Sequence, residues 1–183
     1  MSVRIAILVE GATEQAFIPK VREFLKARLP LGTMPKLDIV PCDGRVPTAD
    51  KLRRIVGNLL SGKNAEDAVI ALTDVYTGTR EFAGAQDAKD MMREWVGEEP
   101  RFYPHVALHD FEAWLLPFWS EIQTLAGSAR AVPGVHPENV NHDRPPAHRL
   151  QEVFRTGSKG KAYVKPRDAA RILRGVDLGV AAI

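Results

Sequence analysis

Apolar positions along the chain follow two periods that alternate with one another. Val3 to Val9 is a compact apolar run broken only by Arg4 and ended by Glu10-Gly11, which predicts a short parallel strand, buried on both faces, leading into a turn. From about Thr13 the spacing changes to three and four. Ala16, Phe17, Val21, Phe24, Leu25 and Leu29 then share one predicted helical face, closed by Pro30 and Gly32. Leu37 to Val40 predicts a second strand. Thr48 is the expected N-cap of a helix that presents Leu52, Ile55, Val56, Leu59 and Leu60 and stops at Gly62.

The cycle then repeats. Ala68 to Thr73 predicts a third buried strand, again followed by an acid, Asp74; a helix is expected near Ala85 to Val96 and a fourth strand near Tyr103 to Leu108. Asp110 stands where it caps a further helix, in which Phe111, Trp114, Leu115, Phe118 and Trp119 fall at helical spacing. Those rings are assigned to core packing before base stacking. Parallel neighbours need crossover connections, so strands alternating with helices predict a three-layer α/β domain with a mainly parallel sheet flanked by helices. The final LGVAAI begins an apolar helix.

Composition narrows the picture. With 183 residues, 45% hydrophobic and 26% charged, the chain suits one globular domain of ordinary size rather than a disordered or fibrous one. Its single cysteine, Cys42, excludes an internal disulfide framework and a thiolate zinc cage, and points to a reducing, cytoplasmic setting. The opening apolar run is far short of the roughly 18 residues of a membrane span, so neither a signal peptide nor a membrane partner is expected. The net charge of +2 is too small for binding through bulk charge, but it is unevenly spread. Residues 1–126 carry fifteen basic and eighteen acidic side chains; residues 127–183 carry ten and five. The expected organisation is an α/β core over 1–126 and a basic C-terminal helical extension over 127–183 packed on the same domain.

In an open parallel sheet, ligands gather beyond the carboxyl ends of the strands, where Glu10 and Asp74 fall. Neighbouring strands at about 4.8 Å would bring the two carboxylates close enough to share a hard divalent cation. The alternative is that both acids only cap helices or form surface ion pairs. Gly11 and Thr13, opening the first helix, suit an anion site but equally a plain strand-to-helix turn.

Val9-Glu10-Gly11-Ala12-Thr13-Glu14 resembles the V-E-G-x-T-E signature of Toprim-like domains, the metal-dependent module of topoisomerases, bacterial primases and overcoming-lysogenization-defect nucleases. Three further blocks in the same order extend the likeness: Thr73-Asp74-Val75-Tyr76, Arg101 to Leu116, and Pro137 to Leu150. Together they resemble the bacterial domain-of-unknown-function family 4276 from about Val3 to Asp177. The resemblance implies a Toprim-like (Rossmann-like) sheet, Mg²⁺ or Mn²⁺ as cofactor, Glu10 as a metal-linked general acid or base and Asp74 as a metal ligand. It also implies an ATPase partner in a bacterial phage-defence system and a further helix beyond the present end. Toprim enzymes usually carry Asp-x-Asp after the third strand. Here Tyr76 stands in the second position, which is usual in the narrower family and puts two-carboxylate metal binding in question.

Glu112, behind the fourth strand, is the favoured replacement ligand, with His109 and Asp110 beside it; the competing role for Asp110 and Glu112 is to cap a helix and complement its dipole. A zinc site built on His105 and His109 has no cysteine to support it. Phosphate contacts are expected from Arg45 and Lys51 after the second strand, from His109, from Arg144 and Arg149, and from Lys159 and Lys161 in the loop Gly157-Ser158-Lys159-Gly160-Lys161. The expected function is a Toprim-like metal-dependent nuclease or phosphodiesterase acting on DNA or RNA, with Glu10, Asp74 and Glu112 as catalytic and metal residues. The alternative is a non-catalytic binding or regulatory subunit on the same frame, working with an ATPase. A homodimer remains open.

Overall fold

The computed structural model describes residues 2–42, 44–75, 82–134 and 145–180. Four strands, β1 (Arg4–Val9), β2 (Lys36–Pro41), β3 (Ala68–Val75) and β4 (Phe102–Leu108), form one sheet in the order β2-β1-β3-β4, every pair parallel. The expected α/β architecture is present. β3 runs two residues past its predicted end, so Asp74 belongs to the strand, paired with Ala107, rather than following it.

Alternate side chains of the strands feed two apolar layers, as a period of two requires. Ala6, Leu8, Val69 and Ala71 pack with Leu52 and Val56 of α2 (Ala49–Leu59) and Met92 of α3 (Ala85–Val96). On the other face Ile7, Val9 and Leu37 meet Ile18 of α1 (Ala12–Arg28). The α3 bounds match those read from the spacing. The α1 face does not: Thr13, Glu14 and Ile18 are its buried residues, while Phe17, Val21 and Leu25 are only partly covered and Leu29 is exposed. Its outer side packs on α6 (Lys165–Leu173), so α1 lies between the sheet and another helix and needs no single apolar stripe.

After β4 the chain turns through His109, whose φ of 77° is left-handed, into a 3₁₀ helix, Phe111–Phe118. Pro117 lies within that segment and lacks the N–H that a continuous α-helical ladder would use, and α4 (Trp119–Ala126) starts behind it. Phe111, Leu115, Trp119 and Ile122 form one core with Leu150, Val153 and Phe154 of α5 (Pro146–Thr156) and Ile172 and Leu173 of α6, so residues after 127 share a core with residues before it. Among the described residues, no helix is long and apolar enough to cross a membrane.

Candidate active site

The register decides what meets at the carboxyl edge. β1 ends at Val9, opposite Leu72, so Glu10 arrives beside Thr73. Its Oε1 accepts hydrogen bonds from the Thr73 hydroxyl and, at 3.1 Å, from the Asp74 backbone N–H. The sequence expectation that Glu10 and Asp74 converge on the edge therefore matches the geometry. Burial pushes the Glu10 carboxyl above its ordinary range despite these hydrogen bonds. Asp74 is pushed up to about 8, first by burial and then by the negative charges of Glu10, Glu14, Asp110 and Glu112. A carboxylate surrounded by four others keeps its proton near neutral pH unless a cation joins it.

A cleft of about 540 Å³ opens over this edge. Glu10, Gly11, Thr13, Glu14, Thr73 and Asp74 line it from the ends of β1 and β3 and the start of α1; Arg45, Val46, Pro47 and Thr48 come from the loop after β2; Val75, Phe82, Met92 and Trp95 supply apolar lining; Lys165 comes from the start of α6. Gly11 has extended backbone, and its N–H donates to Glu14 Oε2 at 2.9 Å, so the first helical turn is closed by its own N3 glutamate rather than left open for an anion.

Glu112 lies apart from the Glu10–Asp74 pair in its bonding. It is 1% exposed, and Tyr163 Oη at 3.3 Å and Lys165 Nζ at 3.2 Å donate to it. Among the described residues, no three His, Cys, Asp or Glu side chains form a group arranged for a metal ion, so a preformed three-carboxylate site including Glu112 is not present. Asp110 does not cap the helix it precedes. Its Oδ2 accepts from Ala147 N–H at 3.0 Å and so closes the start of α5, while its buried Oδ1 has no hydrogen-bond partner among the described residues. Burial, followed by the charge of Glu112, pushes Asp110 up to about 6.

The expected phosphate-binding residues separate into two groups. Gly11, Thr13 and Arg45 line the cleft. Lys51 is exposed on α2 and His109 is buried, neither lining it. Arg149 is half-buried on α5; Lys159 donates to Thr124 O at 2.7 Å, and Lys161 is exposed nearby. Gly157 is a packing residue, since a Cβ there would run into Ala126 O. Arg144 and Tyr76 lie outside the described residues.

Two cleft residues, Glu14 and Lys165, have no site role in the sequence reading. Glu14 carries a signal, as the last residue of the VEGATE block. Lys165 carries none, because its approach depends on how α6 docks. Burial works against its charge, yet Glu112, Asp110 and Asp74 hold its pKa above the ordinary lysine value.

No curated protein matches the chain. Two solved structures of the C-terminal region of the Xanthomonas campestris pv. campestris OLD protein are similar to it. The one phased with iodine is 14% identical over 98% of this chain and 88% of that one, with a TM-score of 0.45. The one phased with mercury is 12% identical over 98% and 89%, with a TM-score of 0.43. The family model for a domain of unknown function, DUF4276, matches residues 9–182, and the chain belongs to that family.

Proposed function

We propose that the chain is a metal-dependent phosphodiesterase acting on nucleic acid, with Glu10 and Asp74 as the residues that would hold Mg²⁺ or Mn²⁺. The observation that carries the reading is the parallel register that sets the Glu10 carboxylate against Thr73 and Asp74 at the floor of the cleft. The donor set fits a hard cation: two carboxylates with room for water or phosphate oxygen, in a site with excess negative charge. The likeness of the VEGATE block to the Toprim signature supports the same assignment.

A bound cation would supply Lewis acidity and charge neutralisation at a phosphate oxygen. The protein's own groups do the rest. Thr73 and the Asp74 N–H fix one oxygen of Glu10, which orients the carboxyl, and burial makes that carboxylate a stronger base than an exposed one, as a proton acceptor requires. Lys165, held by buried Glu112, and Arg45 at the rim would offset charge on the transferring phosphate. Glu112 thus acts as a positioning residue. A nucleic-acid partner and an ATPase partner in a bacterial defence setting follow from the family resemblance and belong to this proposal.

The test is cleavage of single- and double-stranded DNA and RNA with Mg²⁺ or Mn²⁺. Glu10→Gln and Asp74→Asn should each lower the rate by at least about 100-fold, the scale of a lost charge-stabilising group, without lowering the melting temperature. Cleavage retained in both variants overturns the assignment. Calorimetric Mg²⁺ titration should give heat that Asp74→Asn removes. No heat in the wild-type protein favours the non-catalytic binding subunit, a reading to which the commitment of Glu112 to Lys165 lends support.

A further inference from the structure

The cleft has a second half that phosphate chemistry leaves unused. In the same cleft as the carboxyl edge, Phe82 and Trp95 stand with ring centroids 6.1 Å apart and planes tilted by 52°, and Met92 and Val75 add apolar lining. Both rings are only half-buried: Trp95 packs part of its surface against the core formed by α2, α3 and the sheet and also lines the cleft. One cleft therefore joins acidic Glu10 and Asp74, cationic Arg45 and Lys165, and a pair of aromatic rings.

We infer that this cleft takes a single unpaired nucleotide, its phosphate on the carboxyl edge and its base against Phe82 and Trp95. The inference rests on the proposed phosphodiesterase reading and adds the strand form of the substrate. Three features point to it. A volume of about 540 Å³ lies in the range of pockets that enclose one small ligand. The lining combines charged and aromatic groups, as a nucleotide combines phosphate and base. A base paired and stacked within a duplex cannot enter such a pocket, so the ligand is a single strand, a frayed end or an extruded nucleotide. Every base offers a π-face, so the wall selects for an unpaired base without selecting its identity.

The experiment measures binding of the full chain to hexanucleotides in both sugar forms, in Ca²⁺ so that binding is read without relying on turnover. Each is compared with versions carrying one abasic position in turn, and with the blunt duplex of the same sequence. Loss of the base at one position should weaken binding about tenfold, within the range for one base stacked on an aromatic side chain, and the duplex should bind more weakly than the single strand. Phe82→Leu and Trp95→Leu should bind the intact strand about as weakly as the wild-type protein binds the abasic one, and should show no further abasic penalty. Trp95→Phe, which keeps a ring, should retain most of the penalty and serves if Trp95→Leu does not fold. Equal binding of intact and abasic strands at every position overturns the base subsite. If Asp74→Asn still abolishes cleavage, that result leaves the phosphodiesterase reading in place. Absence of binding to any strand overturns the subsite outright, whereas a subsite with wild-type cleavage in Asp74→Asn removes the catalytic reading alone.

Discussion

The carboxyl edge of the sheet and the basic C-terminal helices are both rich in charge, yet they use it in opposite ways. At the edge, carboxylates crowd one another: Asp74 experiences Glu10, Glu14, Asp110 and Glu112 together, and Lys165 forms its ion pair with Glu112. In the helices, positive groups are largely spent on local structure. Arg167 and Arg171 bind the buried carboxylate of Asp168, Arg130 pairs with Glu152 at 3.2 Å, and Lys159 reaches the end of α4. Asp168 in turn caps the start of α6 through Val164 N–H at 2.8 Å; burial opposes its ionisation, but Arg167 and that N–H hold its pKa below the ordinary range. Crowded carboxylates at the edge favour a cationic ligand, while paired charge in the helices stabilises the fold. Net charge along the sequence does not separate these cases.

Lys165 is where the two regions join, and breaking it gives the largest expected effect. Lys165→Met leaves Glu112, 1% exposed, with Tyr163 as its donor among the described residues. Stranding the buried Glu112 carboxylate costs up to about 3 kcal/mol, the low end for a broken buried pair because Lys165 itself is 43% exposed, to be read as a lower urea midpoint at unchanged slope. The double variant Lys165→Met with Glu112→Leu should recover most of that loss, because the stranded charge is gone. Equal stability of the wild-type and Lys165→Met proteins would mean that Glu112 finds other compensation and that α6 is not held to the edge by this pair.

Asp74 sharpens the comparison from the other side. Its folded pKa of about 8 lies above the ordinary carboxyl value, so between about pH 4 and 8 the unfolded chain is ionised while the folded protein holds the proton. Stability in metal-free buffer must then fall as pH rises through that window and level off above it. Asp110, raised to about 6, adds a slope of the same sign that ends earlier. Asp74→Asn should flatten the profile and be about 2 kcal/mol more stable than the wild-type protein at pH 8, a partial share of the shift because the side chain is not fully enclosed. Saturating Mg²⁺ should remove much of the wild-type slope and leave Asp74→Asn unaffected. A wild-type profile that rises with pH from 5 to 8 would contradict the crowding of carboxylates.

The sheet and half of the site were legible in the sequence because both depend on local pattern. Fully buried parallel strands are continuous apolar runs, and the acids that end them mark the carboxyl edge, so Glu10 and Asp74 stand out before any coordinates are known. The α1 face misled because α1 is covered on two sides, which erases the single stripe that periodicity detects. Glu112 was located on the right edge, but its commitment to Lys165 and Tyr163 depends on the docking of α6, and no spacing encodes that. The glycine at the head of the 157–161 loop has a role that spacing also does not encode. The loop's glycines suggest looseness and phosphate contact, whereas Gly157 is there to let the end of α5 approach Ala126.

The smallest expected effect tests whether that loop belongs to the helices' structural economy or to the cleft. Lys159 and Lys161 are exposed and do not line the cleft, and surface substitutions of this kind change stability by no more than about 0.5 kcal/mol. Lys159→Ala with Lys161→Ala should therefore weaken hexanucleotide binding less than twofold at about 0.15 M salt, where charges beyond about 8 Å are screened. Arg45→Ala, at the cleft rim, should weaken it about tenfold, as expected for a lost hydrogen bond to a charged group. The contrast should persist as salt is raised, because a direct contact survives screening better than a distant field. If the lysine pair instead shows the larger loss, nucleic acid crosses the ends of α4 and α5, and the division between a binding edge and a structural tail fails.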